Sequence, residues 1–527
     1  MKRLPGFAET LDAAPEAKSA RQVFSDTHGA RCLVQGVRRV AEECEHMARI
    51  SRRRLIEDSF FAAAIAAVAG APTRAWARES TGRQLGPNDT IRIAVLGVHG
   101  RGMNHVEAYA SMKDVQVAAI CDPDSNTFAN AVKAVESRGG KTPITVQDVR
   151  RLLDDDSIDA VSIATPNHWH ALASIWAMQA GKDVYVEKPV SHNVVEGRRM
   201  VEAARKYKRI CQAGTQIRSS TGSIEAIDYI HAGKIGKVYL SRGLCYKPRG
   251  SIGKKPDGPV PPGVDYDIWL GPAPKRPFNP NRFHYNWHWN WDYGNGDLGN
   301  QGIHQMDVAR WALNKDKMPN SVLGLGGRFG YEDDGQTPNT ELVFMDYGDA
   351  HLIFEVRGLN TPDLLGAKIG NIVYGSDGYV VFTSYSTAVA FDTNGQEVKR
   401  FSGGGDHFRN FIDAMRSRKV EDLKGDIVEG HLSSALCHLG NISYRLGQEV
   451  PFNPQTKAFG DDKEAYETFG RFEEHLKANG INLEEAKYRL GPTLKVDAAK
   501  ERFVDNVKAN ELLTREYRPP FVVPDRV

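Results

Sequence analysis

The run Ile91-Arg92-Ile93-Ala94-Val95-Leu96, passing directly into Gly97-Val98-His99-Gly100-Arg101-Gly102, constrains the fold more than any other stretch of this chain. An apolar run of strand length, a glycine turn and then a helical pattern over 104–112 follow the order of a dinucleotide-binding α/β unit. Gly97 and Gly102 hold the first and third glycine positions of that turn. His99 stands at the second, where a glycine ordinarily lets backbone approach a pyrophosphate, and Gly100 and Arg101 complete the turn. A second apolar strand, 115–121, ends in Asp122, 20 residues beyond Gly102. That is the spacing of a carboxylate that binds a ribose hydroxyl, so NAD is the preferred cofactor. Arg101 is close enough in sequence to meet a 2′-phosphate, which keeps NADP open beside it.

Strands at α/β spacing continue through 159–164, 184–186 and 209–214, with helical patterns over 171–180 and 195–206 between them. The expectation is α/β, a Rossmann doubly wound parallel sheet over 88–215. Such sheets bind ligands at their carboxyl edge. Thr165, Asn167 and His170 follow one strand there, Glu187 and Lys188 the next, and Gln216 the last, and these six are expected at the cofactor. Lys188 carries the most chemistry. Its ammonium can reach a substrate hydroxyl, and an oxidised nicotinamide ring beside it, being positively charged, would push its pKa toward neutrality.

The second half has a different texture. Segments 237–246, 340–347, 352–356, 371–374 and 379–384 read as strands, many of them alternating, and 408–416 and 431–446 as helices. This predicts an α+β domain over 216–450 with a large, mostly antiparallel sheet. One face would close the cofactor cleft and the other would form a homo-oligomer interface. Residues 451–527, with a charged helical stretch at 463–477, are expected to pack on these domains as a tail. Between Asn281 and Tyr293, aromatics, histidines and amides crowd together, and Trp287, Trp289 and Trp291 are candidates to stack on the apolar faces of a sugar. At 527 residues, 41% hydrophobic and 25% charged, the chain can bury more than one core. A net charge of +2 and the lack of a basic stripe argue against nucleic acid as a partner. Six scattered cysteines without paired spacing predict no structural metal.

Three motifs now stand in a fixed order: the glycine turn, Thr165-Pro166-Asn167-His168-Trp169-His170, and Glu187-Lys188-Pro189. Downstream comes Gly296-Asp297-Leu298-Gly299-Asn300-Gln301-Gly302-Ile303-His304. Over about 91–447 the chain resembles the Gfo/Idh/MocA family, named for glucose-fructose oxidoreductase, inositol dehydrogenase and a rhizopine-catabolism protein. The resemblance implies an NAD(P)-dependent oxidoreductase that moves a hydride between a carbinol carbon of a sugar or polyol and nicotinamide C4. In that family a lysine and a histidine line the substrate site, here Lys188 and His304, with an aspartate four residues before the histidine. Position 300 is Asn instead, so the proton work should rest on Lys188 and His304, with Asn300 beside them. Some relatives are glycosidases that oxidise the sugar transiently, eliminate the aglycone and reduce the product again. That reading, and a sugar-binding protein with reduced catalysis, are the alternatives.

The amino terminus carries separate information. Ser51-Arg52-Arg53-Arg54 precedes the apolar Phe60-Phe61-Ala62-Ala63-Ala64-Ile65-Ala66-Ala67-Val68-Ala69, and Ala75-Trp76-Ala77 follows. Paired arginines, a modest apolar core and an Ala-x-Ala site lay out a twin-arginine export signal over 47–77. Residues 1–46 then read as a non-native extension and Met47 as the native start, with the mature chain beginning near Glu79. Export of a folded protein through the twin-arginine machinery to the periplasm, with no stable membrane insertion after cleavage, implies a tightly held cofactor, because free dinucleotide is scarce outside the cytoplasm.

Overall fold

A computed structural model describes residues 86 and 88–527, which form two sheets. The extension 1–46, the export segment 47–77 and the expected cleavage point after Ala77 lie outside the described residues.

The first sheet holds β1 (Ile91–Leu96), β2 (Val115–Cys121), β3 (Ile144–Val146), β4 (Ala160–Ile163), β5 (Asp183–Val186) and β6 (Cys211–Ala213) in the order β3-β2-β1-β4-β5-β6, all parallel. Its strands other than the edge strand β3 are largely apolar on both faces because α1 (Arg101–Ala110), α2 (Phe128–Glu136), α3 (Asn167–Gln179) and α4 (Val194–Lys206) cover them. Ile93 and Val95 pack with Val106 and Tyr109 on one side; Ala94 and Leu96 pack with Leu172 and Ile175 on the other. The chain reverses its winding direction between β1 and β4, which opens a crevice at their carboxyl ends. Only glycine fits at positions 97 and 102 of the turn after β1. Gly97 has φ +80°, and a Cβ on Gly102 would lie 1.8 Å from the Gly97 carbonyl oxygen.

The second sheet has twelve strands, and it is built around β7 (Val238–Tyr246), β8 (Ser321–Gly327), β9 (Thr340–Asp346), β10 (His351–Arg357), β11 (Ile369–Gly375), β12 (Gly378–Phe382), β13 (Thr387–Asp392) and β14 (Glu397–Ser402). Within it β7 pairs with β10 in parallel, and the other described pairings are antiparallel. Side chains alternate between its faces. On the inner face α5 (Thr221–His231) packs Ile227 and Ile230 near Val373 and Val380. Beside it α6 (Gly302–Ala312) brings Ile303 and Met306 against Phe354. Helix α7 (His407–Ser417) returns to the first domain, where Phe411 and Met415 are fully buried. Helix α8 (Ile427–Leu446) lies along β8, and a Cβ on Gly324 would stand 2.5 Å from Gly440 O, so Gly324 admits a helix backbone, while a Cβ on Gly326 would meet Thr340 O of β9.

The outer face differs from the expectation of a sheet left open for a partner. Helix α9 (Lys463–Ala478) lays Phe469, Phe472 and Leu476 over Leu323, Leu325 and Leu342. Both phenylalanines are fully buried, each contributing about 1.5–3 kcal/mol. Strands β15 (Gln448–Pro451), β16 (Lys487–Leu490) and β17 (Leu494–Asp497) extend the sheet past β8. At the end of the chain Phe521 and Val523 enter the first domain's core beside Trp169.

Candidate active site

A cavity of about 390 Å³ runs along the carboxyl ends of β1, β2, β4 and β5, from Asp122 and Gln147 at one end to His304 and Tyr385 at the other. At the first end the glycine turn leads into the amino terminus of α1, and a Cβ on Gly100 would meet nothing within 4 Å. Open backbone at a helix amino terminus is a cradle for a phosphate. Asp122 is buried and accepts from Val98 N at 2.8 Å and Asp124 N at 2.9 Å. Burial pushes its pKa up to about 6 against the pull of those amides, so it is a carboxylate at neutral pH. The Thr165 hydroxyl, buried on the same wall, has no partner among the described residues. These features fit a dinucleotide. Arg101 points elsewhere than a 2′-phosphate beside Asp122 would require: its Nε donates to Glu187 at 2.9 Å.

The second domain closes over this end. Gly263 O accepts from Ser125 N at 3.0 Å and from Gln147 Nε2 at 2.9 Å, and Asp265 N donates to Pro123 O at 2.9 Å. His284, held at φ +47°, stacks on His99 with centroids 3.8 Å apart. Its Nε2 lies 3.3 Å from Asp124 Oδ2. Burial, then the neighbouring His99, lowers the His284 pKa to about 4, so the contact is a neutral N–H to a carboxylate rather than an ion pair. The position that lacks the second glycine therefore carries a ring that meets the other domain.

Further along, Glu187 accepts from Arg101, from His105 Nε2 at 3.1 Å and from Gln216 Nε2 at 3.2 Å. Burial opposes ionisation, but the His105 bond and the Arg101 charge hold the carboxyl well below its ordinary range. Lys188, on the same strand end, donates from Nζ to Asn300 O at 2.7 Å and reaches Asn300 Oδ1 at 3.4 Å. Burial lowers its pKa to about 8; Glu187 pulls it back up, while Arg101 and Lys247 add to the depression. Position 300 offers two neutral oxygens and no counter-charge. His304 sits on the first turn of α6, its Nδ1 buried without a hydrogen-bond partner among the described residues and its ring 5.0 Å from Tyr385. Burial, then Lys188, holds its pKa well below the ordinary value, so the imidazole is neutral.

Lys188, Asn300 and His304, 116 residues apart at the extremes, thus meet on one wall. Gly97, Gly100, Arg101, Asp122, Thr165, Asn167, Glu187 and Gln216 also line it. Asn167 donates to Asn295 Oδ1 at 2.9 Å, and the His170 ring nitrogens lie 2.8 and 2.6 Å from Thr165 O and Pro189 O. Burial keeps His170 neutral with a single ring N–H, so it donates to one of these two carbonyls, and its ring also lines the cavity. The tryptophans separate. Trp287 lines the cavity, stacked 3.6 Å from His288. Trp289 is 6% exposed beneath the Arg249 guanidinium, and Trp291 lies under Arg445; neither lines the cavity. The reason is the 3₁₀ turn His284–Trp289, whose three-residue period turns Trp289 away from the face that Trp287 takes. Tyr385 and Gln147 were not expected here; they come from a turn and a strand end far apart in the chain and carry no local motif, whereas His284 falls in the 281–293 run but meets His99 and Asp124 instead of a sugar face.

Two family models match: "Oxidoreductase family, NAD-binding Rossmann fold" over residues 91–215 and "Oxidoreductase family, C-terminal alpha/beta domain" over 246–472. Together they cover about two thirds of the chain. A Glycosyl hydrolase family 109 protein of Shewanella pealeana is 29% identical over 154 residues, 28% of this chain and 34% of that protein. Another, of Saccharopolyspora erythraea, is 29% identical over 206 residues, 37% of this chain and 45% of that protein. The match thus spans a third to under half of these relatives' length. The WlbA dehydrogenase of Bordetella pertussis, solved with NADH and UDP-GlcNAcA, superposes with a TM-score of 0.50 at 20% identity, covering 68% of this chain and 97% of that one. Levoglucosan dehydrogenase with NADH and levoglucosan gives 0.50 at 19%, covering 66% and 95%. Both share the fold.

Proposed function

The chain belongs to the Gfo/Idh/MocA oxidoreductase family, and from that premise we propose that it oxidises a carbinol carbon of a carbohydrate with a resident NAD, Lys188 taking the hydroxyl proton. The observation that carries this is Lys188 Nζ, held by neutral oxygens of Asn300 at a pKa of about 8, in the same cavity as the glycine turn and Asp122. The turn and the amino terminus of α1 would hold the pyrophosphate of a bound dinucleotide, and Asp122 its ribose. The bound dinucleotide supplies the hydride acceptor. Near neutral pH a usable fraction of Lys188 is the free amine, which accepts the proton as the hydroxyl is oxidised and returns it in the reverse direction. His304, neutral, offers a second acceptor beside the same hydroxyl. Trp287 lies against an apolar sugar face, and the second domain's loops exclude water.

A second reading rests on a specific observation. The contacts of Gly263, Asp265 and His284 close the adenosine end, which favours a cofactor that stays bound and is recycled. Transient oxidation, elimination of an aglycone and re-reduction would use such a cofactor, and the relatives named Glycosyl hydrolase family 109 accord with it. One experiment separates the two: purify the protein with its dinucleotide, offer a panel of sugars and glycosides, and follow NADH absorbance and product masses together. Accumulating NADH supports net oxidation; a released aglycone without NADH supports cleavage; neither, with dinucleotide bound, contradicts both.

We propose further that the chain is exported by the twin-arginine route to the periplasm, supported by the arginine pair, apolar run and Ala75-Trp76-Ala77. Changing Arg52 and Arg53 together to Lys should leave it in the cytoplasm. A homo-oligomer would use the part of the outer sheet face that α9 leaves uncovered, where Tyr239 is 44% exposed and Tyr374, Tyr379 and Phe391 continue an aromatic row. Light scattering of a Tyr239→Asp variant tests it.

A further inference from the structure

Lys188 stands next to a carboxylate that the fold secures from several sides. Glu187 is buried, and its Oε1 accepts from Arg101 Nε at 2.9 Å, His105 Nε2 at 3.1 Å and Gln216 Nε2 at 3.2 Å. Its Oε2 accepts from the backbone amide of Lys188 at 3.3 Å. Arg101 and His105 are four residues apart on α1, so both reach the carboxylate from one helix face. Behind His105 lies a buried chain. Burial keeps the imidazole neutral with one N–H, and Glu187, ionised beside Arg101, can only accept, which places that proton on Nε2. Nδ1 then accepts from the Ser162 hydroxyl at 2.8 Å, and Ser162 Oγ lies 3.3 Å from the Tyr109 hydroxyl. The charges that face Lys188 come from several elements: Glu187 on its own strand end, Arg101 on α1, Lys247 beyond the end of β7, and Asp297 on the helix Gly296–Asn300. Asp297 is gripped by Arg249 through Nε at 2.9 Å and Nη2 at 2.7 Å. The imidazoles around the lysine, those of His170, His288 and His304, are neutral through burial. Of the two carboxylates, Glu187 is the one joined to the Lys188 backbone.

We infer that Glu187 is a positioning residue for Lys188: its carboxylate, fixed from α1 by Arg101 and His105, orients the strand end that carries the lysine and sets how readily the ammonium gives up its proton. The inference deepens the proposed function and rests on Lys188 being the base there. Its sign follows from the charges. Glu187 favours the ammonium, and Arg101 and Lys247 disfavour it. Replacing the carboxylate by an amide of the same shape leaves Arg101 unopposed, so the lysine should part with its proton at lower pH. Removing Arg101 instead leaves Glu187 unopposed, and the lysine should hold its proton to higher pH.

The test reads the lysine itself. Lys188 is half-buried and lines the cavity, where a small reagent can reach it. The full chain is labelled with acetic anhydride, which acylates the free amine and spares the ammonium, at intervals from pH 6 to 10. Peptide mass spectrometry gives the rate at Lys188 relative to the exposed Lys500. The expected midpoint in the unaltered protein is about 8. In Glu187→Gln it should fall by about one pH unit, which raises the relative rate at pH 7 about fivefold. Glu187→Asp, which keeps the charge, should stay near the unaltered midpoint, and Arg101→Met should rise above it. A midpoint that stays or rises in Glu187→Gln, that falls as far in Glu187→Asp, or that falls in Arg101→Met would overturn the inference. Should Glu187→Gln fail to fold, the opposite shift in Arg101→Met still decides. Labelling does not depend on turnover, so the two readings can fail separately. Expected midpoints alongside full turnover in Lys188→Ala would uphold the role of Glu187 and refute Lys188 as the base.

Discussion

Replacing Asn300 by Asp puts a charge where the protein keeps a neutral amide, and its consequence for Lys188 can be worked through. The Asn300 side-chain oxygen is 3.4 Å from Lys188 Nζ, and the lysine pKa is held at about 8. A carboxylate at that distance favours the ammonium and raises the pKa by about one to three pH units. At pH 8 the free amine makes up about half of the unaltered protein and, for a rise of one unit, about one eleventh of the variant. Oxidation, which needs the amine, should fall about fivefold at that pH and recover as the pH is raised toward the new pKa. Reduction, which needs the ammonium, should not fall and should gain up to about twofold. Initial rates in both directions between pH 6 and 10 provide the assay. A variant whose alkaline limb stays in place, or whose two directions change alike, would falsify the idea that Asn300 sets the proton affinity of Lys188.

Other outcomes follow from the same geometry. Asp122→Ala should cost NAD roughly ten- to a hundredfold in affinity and narrow the preference over NADP, by fluorescence titration. In the unaltered protein NAD binding should weaken as the pH falls through about 6, where Asp122 takes up a proton and loses an acceptor; tighter binding of NADP than of NAD would refute the role. Trp287→Ala should weaken substrate by about 1–3 kcal/mol, read in KM, with little change in melting temperature. Trp289→Ala should instead destabilise the fold by about 3–5 kcal/mol, since that ring is buried and off the cavity. The reverse pattern would mean that the two faces of the turn have been exchanged.

The parallel sheet was legible because strands covered on both faces are continuous apolar runs, and β1, β2, β4 and β5 all are. Strand β3 was not: it has three residues, two of them exposed, and sits at the sheet edge. Strand β8 hid for another reason, since its three glycines mimic a loop, although Gly324 serves the approach of α8 and Gly326 that of β9. Of the wall of Lys188, Asn300 and His304, Lys188 could be read from its place at the end of a strand, while His304 and position 300 came from the family resemblance of their motif. Tyr385 could not, since it lies in the turn after β12 and only tertiary packing carries it to His304. The aromatic run 281–293 announced a site but not a facing, because a 3₁₀ turn distributes rings on a period that composition does not reveal.

Lys188→Ala puts the central claim to its most direct test. The turn and Asp122, proposed to hold the dinucleotide, line the opposite end of the cavity from His304, so the variant should bind NADH with nearly the affinity of the unaltered protein, by fluorescence titration. Turnover of a substrate that the unaltered protein oxidises should fall roughly 10²- to 10⁴-fold, the span of a lost acid-base group. NADH binding retained with that loss of turnover is the predicted result. Full turnover in the variant would contradict it and leave Lys188 as a lysine that ends a strand and ties it to Asn300.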